Sequence, residues 1–454
     1  MPPGCPGDEA KRYQRPAGSG REPRDEPGAG PDRTSRNGGH WTGTTAAPPP
    51  GAARADEETA RVRRTAALVT AGVLALLSGC DGGDGGSSTA APSTAPGAPA
   101  QVRLAPADGS ADVSPATPVE ISVTDGELTE VTVVDGAGAE VAGEVVDGDT
   151  AGTDVWTPEE PLAYSTTYTL TATAGDADDG PVEATSTFTT VTPETLTTPS
   201  VGPLDGTTVG VGMPIRVYFD QPVTNKAAVE SHLLVTSSTP TDGVWSWTDD
   251  SEVHFRPSDY WPADTEVTLE ADLYGVPFGD GVWGEKDRTV AFRVGERHVS
   301  IADAATHRLQ VYDGDTLVQD FPMSAGSPDN PSYNGPHVVT ELNADRVMDS
   351  STYGVPVDSP NGYRTPVEYA VRLSNNGEFV HAAPWSVGQQ GRENVSHGCI
   401  NLSTERAAWF FGFSQPGDVV EIRNSEGPTL SAADGDIYDW AIPWEQWQAG
   451  SALK

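Results

Sequence analysis

The sequence predicts a mainly β protein made of two tandem β-sandwich domains, a further β-rich domain with one short helix, and a Trp-rich tail. Short runs in which apolar and polar residues alternate are separated by Gly- and Asp-rich turns, the pattern of strands with one buried face. The 454 residues include 50 Gly and 39 Pro, which favours turn-rich β modules over helical bundles. A weak sequence repeat recurs at an offset of roughly one hundred residues, which indicates a duplicated domain.

The N-terminal 80 residues combine a leader without periodicity and an export signal. Residues 1–60 are rich in Pro, Gly and Arg, so we expect a disordered leader or a start codon placed too early. Residues 61–80 contain basic positions, a short apolar run and Leu-Ser-Gly-Cys ending at Cys80, which is the layout of a secretory signal peptide. This ending resembles a bacterial lipobox and implies that Cys80 carries a lipid. The alternative is an ordinary signal peptide that contains a cysteine.

Residues 81–102 form a Gly/Ser-rich and then Ala/Pro-rich linker, which we expect to be a flexible tether. The whole chain carries a formal net charge of −39 at pH 7. Such a surface repels nucleic acid and anionic lipid headgroups, which excludes both as electrostatic partners. We therefore expect contact with a membrane only through a lipid at Cys80.

Residues 103–192 and 193–297 are predicted to be two immunoglobulin-like domains. Pro106-Ala-Asp-Gly109 precedes an alternating strand in the first, and Pro203-Leu-Asp-Gly206 occupies the same place in the second. Neither segment contains a cysteine, so neither has a disulfide between its sheets. Because no polar residues converge in either segment, we interpret both as spacers, with ligand-binding modules as the alternative.

The pattern of strand, turn and helix signals changes at residue 298, so residues 298–424 are predicted to form a third domain. Asn375-Asn376-Gly377 is a strong hairpin turn between two strand-like runs, so His381 should lie near the end of the second strand. Ser403 can N-cap a short helix that runs through Phe411. One more strand should follow this helix and close the domain.

Residues 425–454 form a Trp-rich tail after the last predicted strand. Trp440, Trp444 and Trp447 lie in a stretch that has few other apolar side chains. A large aromatic ring gains most when one face is buried and its N–H finds an acceptor. We therefore expect these three indoles to dock the tail against the third domain.

Cys399 is the single cysteine of the predicted folded region, because Cys5 lies in the leader and Cys80 ends the export signal. An exported fold that uses cysteine structurally usually contains a pair. A lone thiol near His397 and His381 is more typical of a nucleophile, since an imidazole makes the thiolate available. His381 arrives from a separate strand and can meet the thiol side chain to side chain, whereas His397 shares its turn. A buried, inert free cysteine is the alternative interpretation.

The motifs around this cysteine resemble those of the L,D-transpeptidases, whose catalytic domain has the YkuD-like fold. His381-Ala-Ala-Pro-Trp385 and Ser396-His-Gly-Cys-Ile-Asn401 carry the resemblance. It continues upstream through residues 348–356 and 359–364, and downstream through 439–447. The order of lipobox, two immunoglobulin-like domains, catalytic domain and Trp-rich tail is similar to that of the actinobacterial cell-wall members.

The resemblance implies a role for each matching residue. Cys399 would be the nucleophile, His381 the base, and the backbone carbonyl of Ala382 the group that orients the base, where the family often has Ser. Backbone amides around His397, Gly398 and Cys399 would form the oxyanion hole. Residues that would line the substrate cleft or hold its loop are Met348, Tyr353, Tyr363, Trp385, Ser396 and Asn401.

The implied reaction is acyl transfer on peptidoglycan stem peptides, with no metal or organic cofactor. The cysteine would release the terminal D-Ala as a thioester forms, and an amine of a neighbouring stem would resolve it as a 3→3 cross-link. Carbapenems would acylate the same thiol. The resemblance also implies an exported enzyme anchored at the outer face of the cytoplasmic membrane and acting in the cell wall. Two alternatives remain: an L,D-carboxypeptidase that hydrolyses the thioester, and a non-enzymatic wall-binding lipoprotein.

Overall fold

The computed structural model describes residues 99–150, 152–176, 180–434 and 437–453. The predicted leader, the export signal with Cys80 and most of the linker lie outside these residues, as does the side chain of Tyr353. Strands account for 46% and helices for 9% of the described residues, which confirms the predicted mainly β class. None of the helices in the described ranges is long and apolar enough to cross a membrane.

The first sandwich consists of two sheets. Its strands are β1 (Gln101–Ala105), β2 (Val119–Thr124), β3 (Glu127–Asp135), β4 (Gly143–Asp147), β5 (Thr153–Pro158), β6 (Thr167–Asp176) and β7 (Gly180–Thr189). They pair in the orders β1-β2-β5-β4 and β3-β6-β7. Ile121, Trp156 and Leu170 are buried in its core, as the period-two alternation of the strands requires.

The second sandwich repeats this architecture with a larger core. Its elements are β8 (Thr195–Thr197), β9 (Ser200–Gly202), β10 (Thr208–Val209), β11 (Ile215–Tyr218), α1 (Lys226–Glu230), β12 (Leu233–Ser237), β13 (Gly243–Trp247), β14 (Glu252–Pro257), β15 (Glu266–Ala271), β16 (Pro277–Gly279), β17 (Val282–Gly284) and β18 (Arg288–Val294). The main sheets run β10-β18-β15-β12 and β13-β14-β11-β9, and β16-β17-β8 form a small third sheet. Trp261, Leu269 and Phe278 are buried between the main sheets.

The third domain contains two sheets and a helix. Its elements, followed by the helix of the tail, are β19 (His298–Asp303), β20 (Arg308–Asp313), β21 (Thr316–Pro322), β22 (Gly335–Val338), β23 (Glu341–Asp349), β24 (Arg364–Arg372), β25 (Phe379–Ala382), β26 (Ile400–Leu402), α2 (Thr404–Phe413), β27 (Val419–Arg423) and α3 (Trp444–Ala449). Short 3₁₀ turns occupy Ser350–Tyr353, Pro384–Ser386 and Asp439–Ala441. The sheets run β21-β20-β19-β27-β22 and β23-β24-β25-β26, and share one buried core with α2.

Local signals in this domain are confirmed. β24 and β25 form the antiparallel hairpin predicted from the Asn-Asn-Gly turn, and His381 is the penultimate residue of β25. The Ser403 hydroxyl accepts a hydrogen bond from the Arg406 N–H, which caps α2. The helix ends at Phe413, two residues beyond the predicted end at Phe411.

The two sandwiches meet through a tyrosine pair. The Tyr164 hydroxyl donates to the Gly284 carbonyl at 2.6 Å, and the Tyr274 hydroxyl donates to the Leu162 carbonyl at 2.8 Å. The two rings lie 5.1 Å apart. These reciprocal bonds, each anchored in the opposite domain, give the junction a defined geometry.

The junction between the second sandwich and the third domain is packed as tightly as a core. Val299, Val338 and Val419 of the third domain belong to the same buried cluster as the interior of the sandwich. The Gly210 N–H donates to the Pro416 carbonyl at 2.8 Å. A Cβ at Gly210 would lie 2.2 Å from a backbone nitrogen, so this approach requires glycine.

The prediction that the indoles dock the tail against the third domain is wrong. Trp440 Nε1 donates to the Gly212 carbonyl at 2.7 Å, and Trp447 Nε1 donates to the Val244 carbonyl at 2.9 Å, both in the second sandwich. The Arg256 guanidinium, also from that sandwich, lies 4.6–5.2 Å from three indole rings, those of Trp440, Trp444 and Trp447. The physical reason is that this sandwich offers both carbonyl acceptors and a flat cation to the indoles.

The earlier part of the tail does contact the third domain. The Asn334 N–H donates to the Pro428 carbonyl at 2.7 Å, and the Leu430 N–H donates to the Asn334 carbonyl at 2.9 Å. The tail therefore runs from the third domain to the second sandwich and joins the two. The sandwich is a structural partner of the third domain in addition to any role as a spacer.

Candidate active site

A cleft of about 460 Å³ opens beside the β25–β26 pair. Its lining is Met348, Tyr363, Thr365, Val367, His381, Trp385, Val395, Ser396, His397, Cys399 and Asn401. Eight of these were predicted from the sequence as catalytic or substrate-lining residues. The cleft thus brings together side chains from four separate segments of the third domain, around residues 348, 363–367, 381–385 and 395–401.

Cys399 lies immediately before β26, in the loop that enters the cleft. It is a free thiol and only 7% of its surface is exposed. Burial raises the pKa of the thiol to about 12; a backbone hydrogen bond from Phe379 opposes this shift, and the charge of Glu378 adds to it. The thiol donates to the Gly377 carbonyl at 3.5 Å. In this state the nucleophile is protonated at neutral pH.

His381 sits in β25, which pairs in parallel with β26 and places His381 opposite Asn401. Its Nδ1 lies 2.9 Å from the Ala382 carbonyl. A carbonyl only accepts, so Nδ1 carries the proton and Nε2 has a free lone pair. Burial lowers the pKa of His381, although the bond to Ala382 works in the opposite direction. The side chain is therefore a neutral base with a fixed tautomer, and Ala382 supplies the orienting carbonyl.

The catalytic loop, residues 396–399, is held by its own serine. The Ser396 hydroxyl donates to the Cys399 carbonyl at 2.6 Å and accepts from the Gly398 N–H at 3.1 Å. Gly398 has φ of 120°, a conformation that favours glycine. Because its N–H is turned toward Ser396, the predicted place of the Gly398 amide in an oxyanion hole does not agree with this geometry. The candidate donors are then the amides of His397 and Cys399.

His397 and Tyr363 meet at the exposed side of the cleft. The His397 side chain is exposed, and its ring lies 5.2 Å from that of Tyr363. Met348 is buried and packs in a small cluster with Cys399. Trp385 is 58% exposed, with its ring 6.2 Å from that of His381. An exposed indole beside the base gives the cleft a wall against which a peptide can pack.

Asn401 supports the loop from within the sheet. Its Nδ2 donates to the Ser386 hydroxyl at 3.2 Å, and its backbone N–H donates to the Ser324 carbonyl at 2.8 Å. Val395 of the cleft was not predicted from the sequence, and neither were Thr365 and Val367. Their positions two residues apart on β24 put them on one face of the sheet, and this period-two signal was available in the sequence.

A buried pair, Glu378 and His337, lies behind the catalytic loop and was also missed. His337 Nε2 and Glu378 Oε2 are 3.0 Å apart, and both side chains are almost wholly buried. The other carboxylate oxygen accepts the Tyr333 N–H at 2.7 Å. A Cβ built on Gly398 would lie 3.8 Å from the Glu378 side chain, so the pair packs directly against the loop.

Within the described residues, no group of three or more His, Cys, Asp or Glu side chains is arranged to hold a metal ion.

The chain is similar to known protein families over much of its described length. A bacterial Ig domain model matches residues 110–277, and an L,D-transpeptidase catalytic domain model matches residues 297–422. L,D-transpeptidase 2 of Mycobacterium tuberculosis is 41% identical over 345 residues, which cover 76% of this chain and 83% of that protein. L,D-transpeptidase 5 of the same species is 42% identical over 355 residues, covering 77% and 76%. A solved structure of LdtMt1 in complex with imipenem shares 37% identity over 49% of this chain and 97% of its own, with a TM-score of 0.44.

Proposed function

Because the chain belongs to the L,D-transpeptidase family, we propose that it forms 3→3 cross-links between peptidoglycan stem peptides through a thioester on Cys399. The observation that carries the proposal is the pairing of a single thiol with a neutral imidazole of fixed tautomer in one cleft. Nucleophilic catalysis by cysteine requires these two groups together with donors for an oxyanion.

The acylation step begins with a protonated thiol. Burial raises the pKa of Cys399 and lowers the pKa of His381, so both groups rest in their neutral forms. The thiol turns from the Gly377 carbonyl toward His381, whose Nε2 takes its proton as sulfur attacks the carbonyl of the third stem residue. The tetrahedral oxyanion then collapses, the C–N bond breaks, and the leaving D-Ala amine takes the proton from His381.

The second step returns the enzyme to its starting state. The side-chain amine of a neighbouring stem attacks the thioester and transfers a proton to His381. The C–S bond breaks, the new amide is released, and the proton returns to the sulfur of Cys399. Attack by water in place of the amine would hydrolyse the same thioester and release a tripeptide. The acceptor therefore decides between transpeptidase and carboxypeptidase activity.

Incubation with a defined tetrapeptide donor tests this proposal. Mass spectrometry should find a cross-linked dimer and free D-Ala when an acceptor amine is present. Tripeptide alone, in equal amount with and without acceptor, would instead establish a carboxypeptidase. Binding of wall fragments without any covalent product, unchanged in Cys399→Ala, would establish a non-enzymatic wall-binding protein.

We also propose that the enzyme is exported and anchored by a lipid on Cys80. The sequence Leu-Ser-Gly-Cys supports this proposal, and the tether of residues 81–102 would place the folded domains outside the membrane. Labelling of cells with a radioactive or clickable fatty acid should mark the parent protein. The variant Cys80→Ala should lose the label, and a label that persists would contradict the anchor.

Carbapenems are the expected covalent inhibitors of this cleft. Attack of the Cys399 sulfur on the strained lactam carbonyl opens the ring and leaves an acyl-enzyme without a leaving group. The intact protein should therefore gain the full mass of one imipenem molecule. No such adduct should form on Cys399→Ser.

A further inference from the structure

A buried serine behind the catalytic loop holds the peptide bond that precedes the nucleophile. Ser332 has no exposed surface and does not line the cleft. Its hydroxyl accepts from the Gly326 N–H at 3.0 Å and donates to the Gly398 carbonyl at 2.5 Å. The second bond is the shorter of the two and joins this segment to the catalytic loop.

The bond to Gly398 also sets the direction of the next amide. The cis peptides among the described residues are at Pro106 and Pro203, so the bond between Gly398 and Cys399 is trans. In a planar trans peptide, the C=O and the N–H point in opposite directions. With the Gly398 carbonyl fixed toward Ser332, the Cys399 N–H is directed away from Ser332, which does not line the cleft.

The Cys399 N–H is the stronger candidate for an oxyanion donor because the neighbouring Gly398 N–H already has a partner. The Gly398 N–H donates to the Ser396 hydroxyl, so it is not free to receive an oxyanion. A hydrogen bond accepted at a carbonyl also polarises the peptide group and strengthens its N–H as a donor. The geometry points to Ser332 as a positioning residue: it orients and polarises the Cys399 N–H as an oxyanion donor. This inference rests on the proposed acyl-transfer function.

Three further contacts keep Ser332 in place. Gly326 packs so closely that a Cβ there would lie 2.3 Å from the Asn330 carbonyl oxygen. Glu378 accepts the Tyr333 N–H at 2.7 Å, and the Asn334 side chain donates to the Gly427 carbonyl at 2.7 Å. The segment is therefore fixed on both sides of the serine, as a positioning role requires.

If Ser332 positions an oxyanion donor, its loss should slow a reaction that passes through an oxyanion and leave unchanged a reaction that does not. Acylation by imipenem passes through an oxyanion and needs the donor. Alkylation by iodoacetamide is a displacement at a saturated carbon, in which sulfur replaces iodide and no oxyanion forms. Ser332→Ala should slow acylation by about tenfold, the equivalent of one weakened hydrogen bond, and leave the alkylation rate within about twofold of the parent.

The test measures both rates by intact mass on the full chain at one pH. Ser324→Ala is the matched control, because Ser324 is equally buried and its hydroxyl bonds to Glu393 and Val395, just before the loop. Its ratio of acylation to alkylation should equal that of the parent. Both variants are compared with the parent as cooperatively melting, folded protein, because unfolding would expose the buried Cys399 thiol, speed alkylation and stop acylation.

Equal losses of both rates in Ser332→Ala, or no loss of either, would overturn the inference. If that variant fails to melt cooperatively, Ser332→Thr keeps the hydroxyl and should show the parent ratio; a folded threonine variant with a tenfold lower ratio would also overturn it. A parent protein that is alkylated but never acylated would instead contradict the proposed function itself.

Discussion

Substitution of Trp447 by alanine should lower the free energy of unfolding, although Trp447 belongs to the tail and does not line the cleft. Trp447 is 1% exposed, donates to the Val244 carbonyl at 2.9 Å, and its ring lies 4.6 Å from the Arg256 guanidinium. Truncation of a buried tryptophan typically costs about 3–5 kcal/mol. Loss of its cation–π contact and of its hydrogen bond to the Val244 carbonyl favours the upper part of this range.

Urea denaturation followed by intrinsic fluorescence and circular dichroism measures this cost as a shift of the transition midpoint. Leu204→Ala is the control, because Leu204 is in the same sandwich and 64% exposed; its free energy of unfolding should change by less than about 0.5 kcal/mol. A change below about 1 kcal/mol for Trp447→Ala would refute the reasoning. The tail would then not hold the second sandwich to the third domain.

Three further predictions follow from the titratable groups. His381→Ala should slow alkylation of Cys399 at neutral pH, because the base is lost, while His397→Ala should stay near the parent rate; the reverse order would exchange their roles. Glu378→Gln should lower the pKa of the Cys399 thiol, seen as a shift of the alkylation profile toward lower pH, since the Glu378 charge raises that pKa. Burial lowers the pKa of His254, but two adjacent carboxylates outweigh this and raise it to about 9. Its contribution to stability, up to roughly 3 kcal/mol, should be complete below pH 6.5 and disappear as pH rises through 9, measured by denaturation midpoints.

The β class, the hairpin that carries His381 and the cap of α2 could be predicted because each depends on local sequence. Alternation marks a strand with one buried face, Asn-Gly marks a tight turn, and a serine before a helix satisfies an exposed N–H. The cysteine could be singled out by its isolation in an exported chain. These signals act within a few residues and do not depend on the rest of the fold.

The tail and the support of the catalytic loop could not be predicted, because they depend on contacts between distant segments. Arg256 is more than 180 residues from the indoles that cover it. Ser332 is 66 residues from the carbonyl that it holds. A fragment of residues 298–454 alone would expose indoles and valines that the second sandwich buries. The hypothesis that the sandwiches are spacers therefore needs a test that keeps the second sandwich in place.

The central claim is that Cys399 forms a thioester with the stem peptide. The most direct measurement is the intact mass of the protein, quenched in acid during turnover of a tetrapeptide donor without acceptor. The parent should gain the mass of the donor minus D-Ala, and the adduct should map to the peptide that contains Cys399. Cys399→Ser should melt like the parent and gain no such mass. An adduct on another residue, or cross-linked product formed by the Cys399→Ser variant at the parent rate, would contradict the account.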